Sequence, residues 1–103
     1  MNPIAPCSTL AEVRQQIDRL DRQLVSLIAE RGAYVRQAAR LKTSAAEVPA
    51  PARVAAVLAN VGQLADEVGA ERSVVDAVWR AMIAAFIACE QAEHAALHPP
   101  STT

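Results

Sequence analysis

The chain has 103 residues, with 10 Lys and Arg against 11 Asp and Glu and a formal net charge of -1. This length suits one compact domain and is too short for two. The balanced charge offers no basic surface that could neutralise a run of phosphates, so we expect no nucleic-acid partner. The longest apolar run, residues 81–89, is far shorter than the ~20 residues of a membrane span, and residues 1–9 lack a signal-peptide pattern. We therefore expect a soluble, cytoplasmic protein with no membrane partner.

Residues of high helix propensity dominate the chain, because Ala is the commonest residue and only 3% of residues are aromatic. Apolar side chains never alternate with the period of a strand over a useful length. We therefore predict an all-α fold. A single domain is expected over residues 9–98, between disordered ends at residues 1–8 and 99–103.

The first helix is predicted to begin at a capping box formed by Thr9 and Glu12 and to run to about Lys42. Apolar residues recur along it at alternating steps of three and four. They are Leu10, Ile17, Leu24, Ile28, Val35 and Ala38, flanked by Val13, Leu20, Leu27 and Leu41. A helix of ~33 residues is about 50 Å long. Because two shorter helices cannot cover so long a stripe, we expect a homodimer with the long helices side by side.

Two shorter helices follow a loop predicted at residues 43–51. The second helix is predicted to begin at Pro51, which suits a first helical turn, and to stop at Gly69. The third is predicted to begin at Ser73, with Asp76 three residues on, and to end before Pro99. The chain is therefore expected to form one long and two shorter helices.

Four charged residues lie on the apolar stripe of the first helix, where solvated charges do not belong: Arg14, Asp21, Arg31 and Lys42. One interpretation is that Asp21 pairs with an arginine across the dimer while the long side chains reach solvent. The other is that the excess cations bind an anion. On a straight helix Arg31 and Lys42 would point the same way about 16 Å apart, and Arg14 is rotated by roughly 100° from Arg31. A second chain could supply Arg14.

Glu90 is a carboxylate on the apolar face of the third helix. We expect it either to pair with a cation or to be buried and protonated. Arg53, in the first turn of the second helix, adds a cation near Lys42. These residues predict a bundle pocket with several cations and one carboxyl group, which suits a small, mostly apolar dicarboxylate. The apolar residues that we expect to contact this substrate are Val35, Ala38 and Ile87.

Other chemistries have weaker support in the sequence. His94 and His98 have the spacing of a helical metal pair, but no third ligand is evident, so we expect no metal. Cys7 and Cys89 are too few for a disulfide framework, and Cys89 is expected in the core. The sequence contains neither a nucleophilic set nor a glycine-rich phosphate loop, and we expect no cofactor.

A linked set of residues runs through the first two helices, comprising Leu10, Arg14, Ile17, Asp18, Asp21, Leu24, Val25, Glu30, Arg31, Lys42 and Arg53. This set resembles the all-helical chorismate mutase family over about residues 10–91. The resemblance implies an intertwined homodimer of three-helix chains and a pericyclic reaction. It also implies that Arg31, Lys42 and Arg53 bind two substrate carboxylates and the ether oxygen, with Arg14 coming from the partner chain. Cations placed where charge grows on that oxygen would suffice for catalysis.

Two departures from the family pattern bear on the substrate. Typical mutases of this fold have acidic residues flanking the arginine of the second helix, where this chain has Ala50 and Val54. Residues 48–56 resemble the related isochorismate pyruvate lyases, which produce salicylate and pyruvate and have weak mutase activity. We therefore expect such a lyase with chorismate mutase activity. The alternatives are a chorismate mutase proper and a catalytically idle helical dimer used as a binding or regulatory module.

The second departure is Glu90, at a position where both branches commonly have a Gln that donates a hydrogen bond to the ether oxygen. Gln91 is adjacent but rotated by about 100°. An ionised Glu90 would repel the oxygen, whereas a protonated Glu90 can donate to it. We therefore predict catalytic roles for Arg31, Lys42 and Glu90. Activity is expected to fall as pH rises through the titration of Glu90.

Overall fold

The computed structural model describes residues 3–42 and 51–97, and within these residues all regular secondary structure is helical. Helix α1 spans Leu10–Leu41, α2 spans Pro51–Val68 and α3 spans Arg72–Leu97. The predicted all-α chain of one long and two shorter helices is confirmed. Of the loop predicted at residues 43–51, only Pro51 is described, and it begins α2; residues 43–50 and the predicted disordered tail at residues 99–103 lie outside the described residues.

The start of α1 is set by the capping box predicted from the sequence. The hydroxyl Oγ1 of Thr9 accepts a hydrogen bond from the backbone N–H of Glu12 at 3.1 Å. The Glu12 carboxylate accepts in turn from the backbone N–H of Ser8 at 2.7 Å, one residue before the amide used in the usual box. Both side chains therefore fix the point at which the chain enters the helix.

The first of two compact units comprises Met1–Val35 and contains most of α1. Along the whole of α1, Gly32 is the one buried residue. The apolar stripe predicted from the sequence is exposed in the single chain, with Leu10 at 62%, Ile17 at 50% and Leu24 at 55% of full exposure. Within the described residues of this unit, no second element therefore packs on the apolar face of α1.

The second unit comprises Arg36–Thr103, in which α2 and α3 pack against each other. Val61 and Ala65 of α2 are its buried apolar residues among those described. Helix α2 stops at Gly69, as predicted, because this glycine adopts a left-handed backbone with a φ of 73°. The N–H of Ala70 then donates to the carbonyl of Ala65 at 2.9 Å, the closing bond of a Schellman cap.

Helix α3 differs at its start from the sequence prediction. It begins at Arg72 rather than Ser73, and its first amides, those of Val74 and Val75, both donate to the carbonyl of Glu71 at 3.1 Å. The carboxylate of Asp76 accepts from Arg80 Nε at 2.7 Å and does not cap the helix. Because the first helical hydrogen bonds reach back to the carbonyl of Glu71, Ser73 lies inside the first turn, and the predicted start at Ser73 was wrong by one residue.

Two further properties of the helices bear on the predictions. Cys89, which was expected in the core, is exposed in the single chain. The helical period explains this, because Cys89 is rotated by about 100° from its neighbour Glu90 on the packed face. Within residues 3–42 and 51–97, no helix combines the length and apolar character that crossing a membrane would require.

Candidate active site

The structure divides the predicted site residues between the two units. The first unit contains Arg14, Arg31 and Val35, and the second contains Ala38, Lys42, Arg53, Ile87 and Glu90. Arg14 is exposed on α1, whereas Arg31 and Val35 are half-buried. The second unit alone therefore holds two of the predicted cations and the predicted carboxyl group.

The central contact of the second unit joins Lys42 to Glu90. Lys42 follows directly after α1, where its backbone N–H donates to the carbonyl of Ala39 at 3.3 Å. Its ammonium Nζ donates to Glu90 Oε2 on α3 at 3.3 Å, and the two side chains are 26% and 9% exposed. Of the two states that the sequence left open for Glu90, the structure shows the one paired with a cation. The same pair brings two predicted catalytic residues from distant parts of the chain into contact.

Arg53 and Ile87 lie at the same end of the α2–α3 hairpin as this pair. Each lies 15 residues from the helix end at the turn, Val68 for Arg53 and Arg72 for Ile87. At 1.5 Å per residue, both are about 22 Å along the hairpin from the turn. Ile87 is half-buried one turn before Glu90, and the guanidinium of Arg53 is exposed. Within the described residues Arg53 has no ion-pair partner, so its charge is available to an anion.

Two grooves on the described part of α1 do not coincide with the predicted site. One groove, in the first unit, is lined by Arg19, Arg22, Gln23, Ser26 and Leu27. A second, in the second unit, is lined by Gln37, Arg40 and Leu41. Both are open clefts between long side chains on the surface of one helix, and neither includes a residue of the predicted site. The cation and carboxyl chemistry lies instead at Lys42, Arg53 and Glu90.

The histidine pair considered from the sequence is described only in part. His94 is half-buried on α3, one helical turn after Glu90, and His98 lies outside the described residues. In the parts of the chain that the structure describes, no group of three His, Cys, Asp or Glu residues is placed to hold a metal ion.

Comparisons with known proteins place the chain among enzymes of known chemistry. The family model for chorismate mutase type II matches residues 13–91. The isochorismate pyruvate lyase of Pseudomonas aeruginosa is 39% identical over 82 residues, which cover 80% of this chain and 81% of that protein. The matched residues include every predicted cation and Glu90. The two matches together show an all-helical pericyclic enzyme that acts on chorismate-type substrates. The chain belongs to the type II chorismate mutase family.

These comparisons confirm the predicted family and enzyme class, and they do not favour the idle binding module. The site assignments residue by residue stay predictions. What sequence reasoning missed is the identity of the cation that meets Glu90. No local signal could have named it, because Lys42 and Glu90 are 48 positions apart in the chain.

Proposed function

We propose that this protein is an isochorismate pyruvate lyase, which converts isochorismate into salicylate and pyruvate and retains some chorismate mutase activity. The observation that carries the proposal is the absence of any acidic residue from the first turn of α2, which contains Arg53 and Val54. A mutase of this fold needs carboxylates beside that arginine to hold the ring hydroxyl of chorismate. The 39% identity to the Pseudomonas aeruginosa lyase supports the same choice.

The cations of the proposed site are those of the family resemblance, and its apolar residues are those expected from the sequence. Arg31, Lys42 and Arg53 bind the substrate carboxylates and the ether oxygen, and Val35, Ala38 and Ile87 contact its apolar ring. In the lyase reaction the ether C–O bond breaks while a hydrogen moves within the substrate, so no external base or nucleophile takes part. The protein contributes by holding the substrate in a compact conformer and by stabilising negative charge on the ether oxygen.

Glu90 is proposed to act on the same ether oxygen. Its contact with Lys42 supports this role, because the ammonium and the carboxyl group lie within 3.3 Å and can face one ligand atom together. In its protonated form Glu90 donates a hydrogen bond to the oxygen, as a glutamine would. Lys42 and Glu90 thus form the polar end of a site otherwise lined by Ile87 and its neighbours.

The active species is proposed to be a homodimer of domains spanning residues 9–98, with Arg14 reaching the site from the partner chain. The exposed apolar stripe of α1 supports this assembly, because Leu10, Ile17 and Leu24 are half or more exposed in the single chain. Monomeric proteins rarely leave an apolar patch of such length in water. A second copy of α1 is the matching surface, since each copy presents the same stripe.

The deciding experiment supplies the purified protein with isochorismate and with chorismate in separate assays. We expect salicylate and pyruvate, in equal amounts, to form faster than prephenate. Prephenate as the faster product would make the protein a mutase and would overturn the proposal. The Arg53→Ala variant is the control for both reactions, because a contaminating enzyme would leave the rate unchanged.

A further inference from the structure

The Lys42–Glu90 pair places an acidic side chain at the point where the proposed substrate binds. Glu90 Oε2 lies 3.3 Å from the Lys42 ammonium, and the Glu90 side chain is only 9% exposed. A carboxylate with so little water around it needs a cation or hydrogen-bond donors nearby, because leaving it unpaired is costly. A ligand that fits this site well therefore brings a donating or positive group to Glu90.

A substrate with negative charge alone does not bring such a group. In the proposed function, Lys42 binds the substrate, so its ammonium gains a second anionic or electron-rich partner. Glu90 then shares its one recorded cation with the ligand. A cation on the substrate itself would restore a full partner to Glu90 and would leave Lys42 to the substrate oxygens.

We propose that the protein also acts as a lyase on the 2-amino analogue of isochorismate, with Glu90 binding the ring ammonium. This inference rests on the proposed function, which places the ether oxygen against Lys42 and Glu90. In isochorismate, the carbon that carries the ring hydroxyl is bonded directly to the carbon that carries the ether oxygen. A side chain that faces the ether oxygen therefore also reaches the group on that neighbouring carbon.

The charge of Glu90 favours an amino group over a hydroxyl group at this ring position. A hydroxyl offers one hydrogen and no charge, whereas an ammonium offers three hydrogens and a full positive charge. Hydrogen bonds between two charged groups are shorter and stronger than those between neutral groups. The glutamine that is common at this position in both branches of the family could accept a hydrogen bond from the ammonium but could not form an ion pair with it.

The reaction with the amino substrate follows the same course as the reaction with isochorismate. The bond between the ring carbon and the ether oxygen breaks, and the oxygen becomes the carbonyl oxygen of pyruvate. The hydrogen on the carbon that carries the amino group moves to the methylene carbon of the side chain. The ring becomes aromatic, so the products are 2-aminobenzoate and pyruvate. All atoms and electrons come from the substrate, and no further reactant is needed.

The test compares the two substrates in separate assays at one fixed pH near neutrality. Fluorescence follows 2-aminobenzoate in one assay and salicylate in the other, and pyruvate is measured in both. We expect the unmodified protein to form 2-aminobenzoate and pyruvate in equal amounts. In Glu90→Gln, the ratio of kcat/KM for the amino substrate to that for isochorismate should fall by roughly tenfold or more, because an ionic hydrogen bond is lost.

The matched control is Asp76→Asn, which removes a carboxylate from the same helix. Asp76 is 43% exposed, pairs with Arg80 and lies about 21 Å along α3 from Glu90. Its substitution should leave the ratio unchanged. A second measurement covers the case in which Glu90→Gln is inactive with both substrates. It compares the binding of two unreactive lactyl ethers of the same ring, one with the amino group and one with the hydroxyl group, and the preference for the amino ether should fall in Glu90→Gln.

The possible results separate this inference from the proposed function. Formation of salicylate without any 2-aminobenzoate overturns the inference and leaves the proposed function intact. Equal substrate ratios and equal ether preferences in the unmodified protein and Glu90→Gln also overturn it, because Glu90 would then not bind the ammonium. Formation of neither product contradicts the proposed function and the inference together.

Discussion

The guanidinium of Arg72 on α3 lies directly against Gly62 on α2. A Cβ atom on Gly62 would be 2.6 Å from Nη2 of Arg72, closer than real Cβ atoms come to other groups. The same guanidinium donates to Asp66 Oδ2 at 2.6 Å, so it spans one turn of α2. The absence of a side chain at Gly62 therefore allows Arg72 to close the hairpin at the end opposite Lys42 and Glu90.

Gly62→Ala tests how firmly Arg72 is held. Alanine favours a helix interior by about 1 kcal/mol over glycine. The substitution must displace the guanidinium from an exposed ion pair worth at most about 1 kcal/mol. We expect a small net gain of about 0.5 kcal/mol in urea unfolding. In an Arg72→Ala background the full gain of about 1 kcal/mol should appear. A loss of stability in both backgrounds would contradict this account.

Lys42→Met tests the energetic importance of the site pair. It leaves the 9% exposed carboxylate of Glu90 without its ammonium. We expect a loss of about 1–3 kcal/mol in the free energy of unfolding near neutral pH. The double variant Lys42→Met with Glu90→Gln should lose less than Lys42→Met alone, because no unpaired charge remains.

The matched control for that substitution is Arg80→Met. Arg80 and Asp76 form an ion pair on α3 with side chains 64% and 43% exposed. An exposed pair of this kind on one helix contributes only about 0.3–0.5 kcal/mol. Equal losses for Lys42→Met and Arg80→Met would show that burial of Glu90 does not strengthen its pairing.

Glu90→Gln tests the donor role of Glu90 in turnover. If the neutral carboxyl group donates to the ether oxygen, activity falls as pH rises, because the donor proton is lost. A glutamine at this position keeps its donor at every pH, so the Glu90→Gln profile should be flat over the same range. The test is to measure steady-state rates of both proteins across the pH range in which the unmodified protein loses activity. A decline of the same shape in both proteins would exclude Glu90 as the titrating group.

Val54→Glu tests the basis of substrate choice. It restores an acidic residue next to Arg53, where it can accept a hydrogen bond from the ring hydroxyl of chorismate. A hydrogen bond to a charged acceptor contributes about 1.5–3 kcal/mol, so we expect the ratio of prephenate to salicylate formation to rise roughly tenfold or more. Ala55→Glu, exposed at the next position of α2, is the control and should leave the ratio unchanged. Equal ratios for the two variants would contradict the role of Val54.

Leu24→Asp tests the proposed dimer. Leu24 is 55% exposed in the single chain, so a monomer should tolerate the charge at a cost of less than about 0.5 kcal/mol. In a dimer that covers the stripe, the charge would be buried, and the protein should dissociate and lose the activity that requires Arg14 of a second chain. Light scattering measures the dissociation of the dimer, and the lyase assay measures the loss of activity.

Ser26→Asp is the matched control, because it introduces the same charge on α1 about 160° from Leu24. It should leave the molecular mass and the rate unchanged. Dissociation by both variants, or by neither, would contradict a dimer built on this stripe.

Helix positions were predictable from the sequence because they depend on neighbours in the chain. The hydroxyl of Thr9 meets the amide of Glu12 three residues away, and Gly69 ends α2 through its own backbone angle. The start of α3 was missed by one residue because the carboxylate of Asp76 can either cap the helix or pair with Arg80. Its carboxylate pairs with Arg80 instead of capping the helix, and the spacing of Ser73 and Asp76 does not distinguish these outcomes.

The all-helical fold, and the cations and the two carboxylates Asp21 and Glu90 on its apolar faces, were predictable because helical period and residue chemistry are local properties of the chain. The resemblance carried by Arg14, Arg31, Lys42 and Arg53 determined its family. Which cation pairs with Glu90, and how exposed the two side chains are, depends on contacts between distant parts of the chain. Both properties depend on the packing of α2 against α3 and on the position of Lys42 directly after α1. A contact between residues 48 positions apart produces no periodic pattern in a sequence.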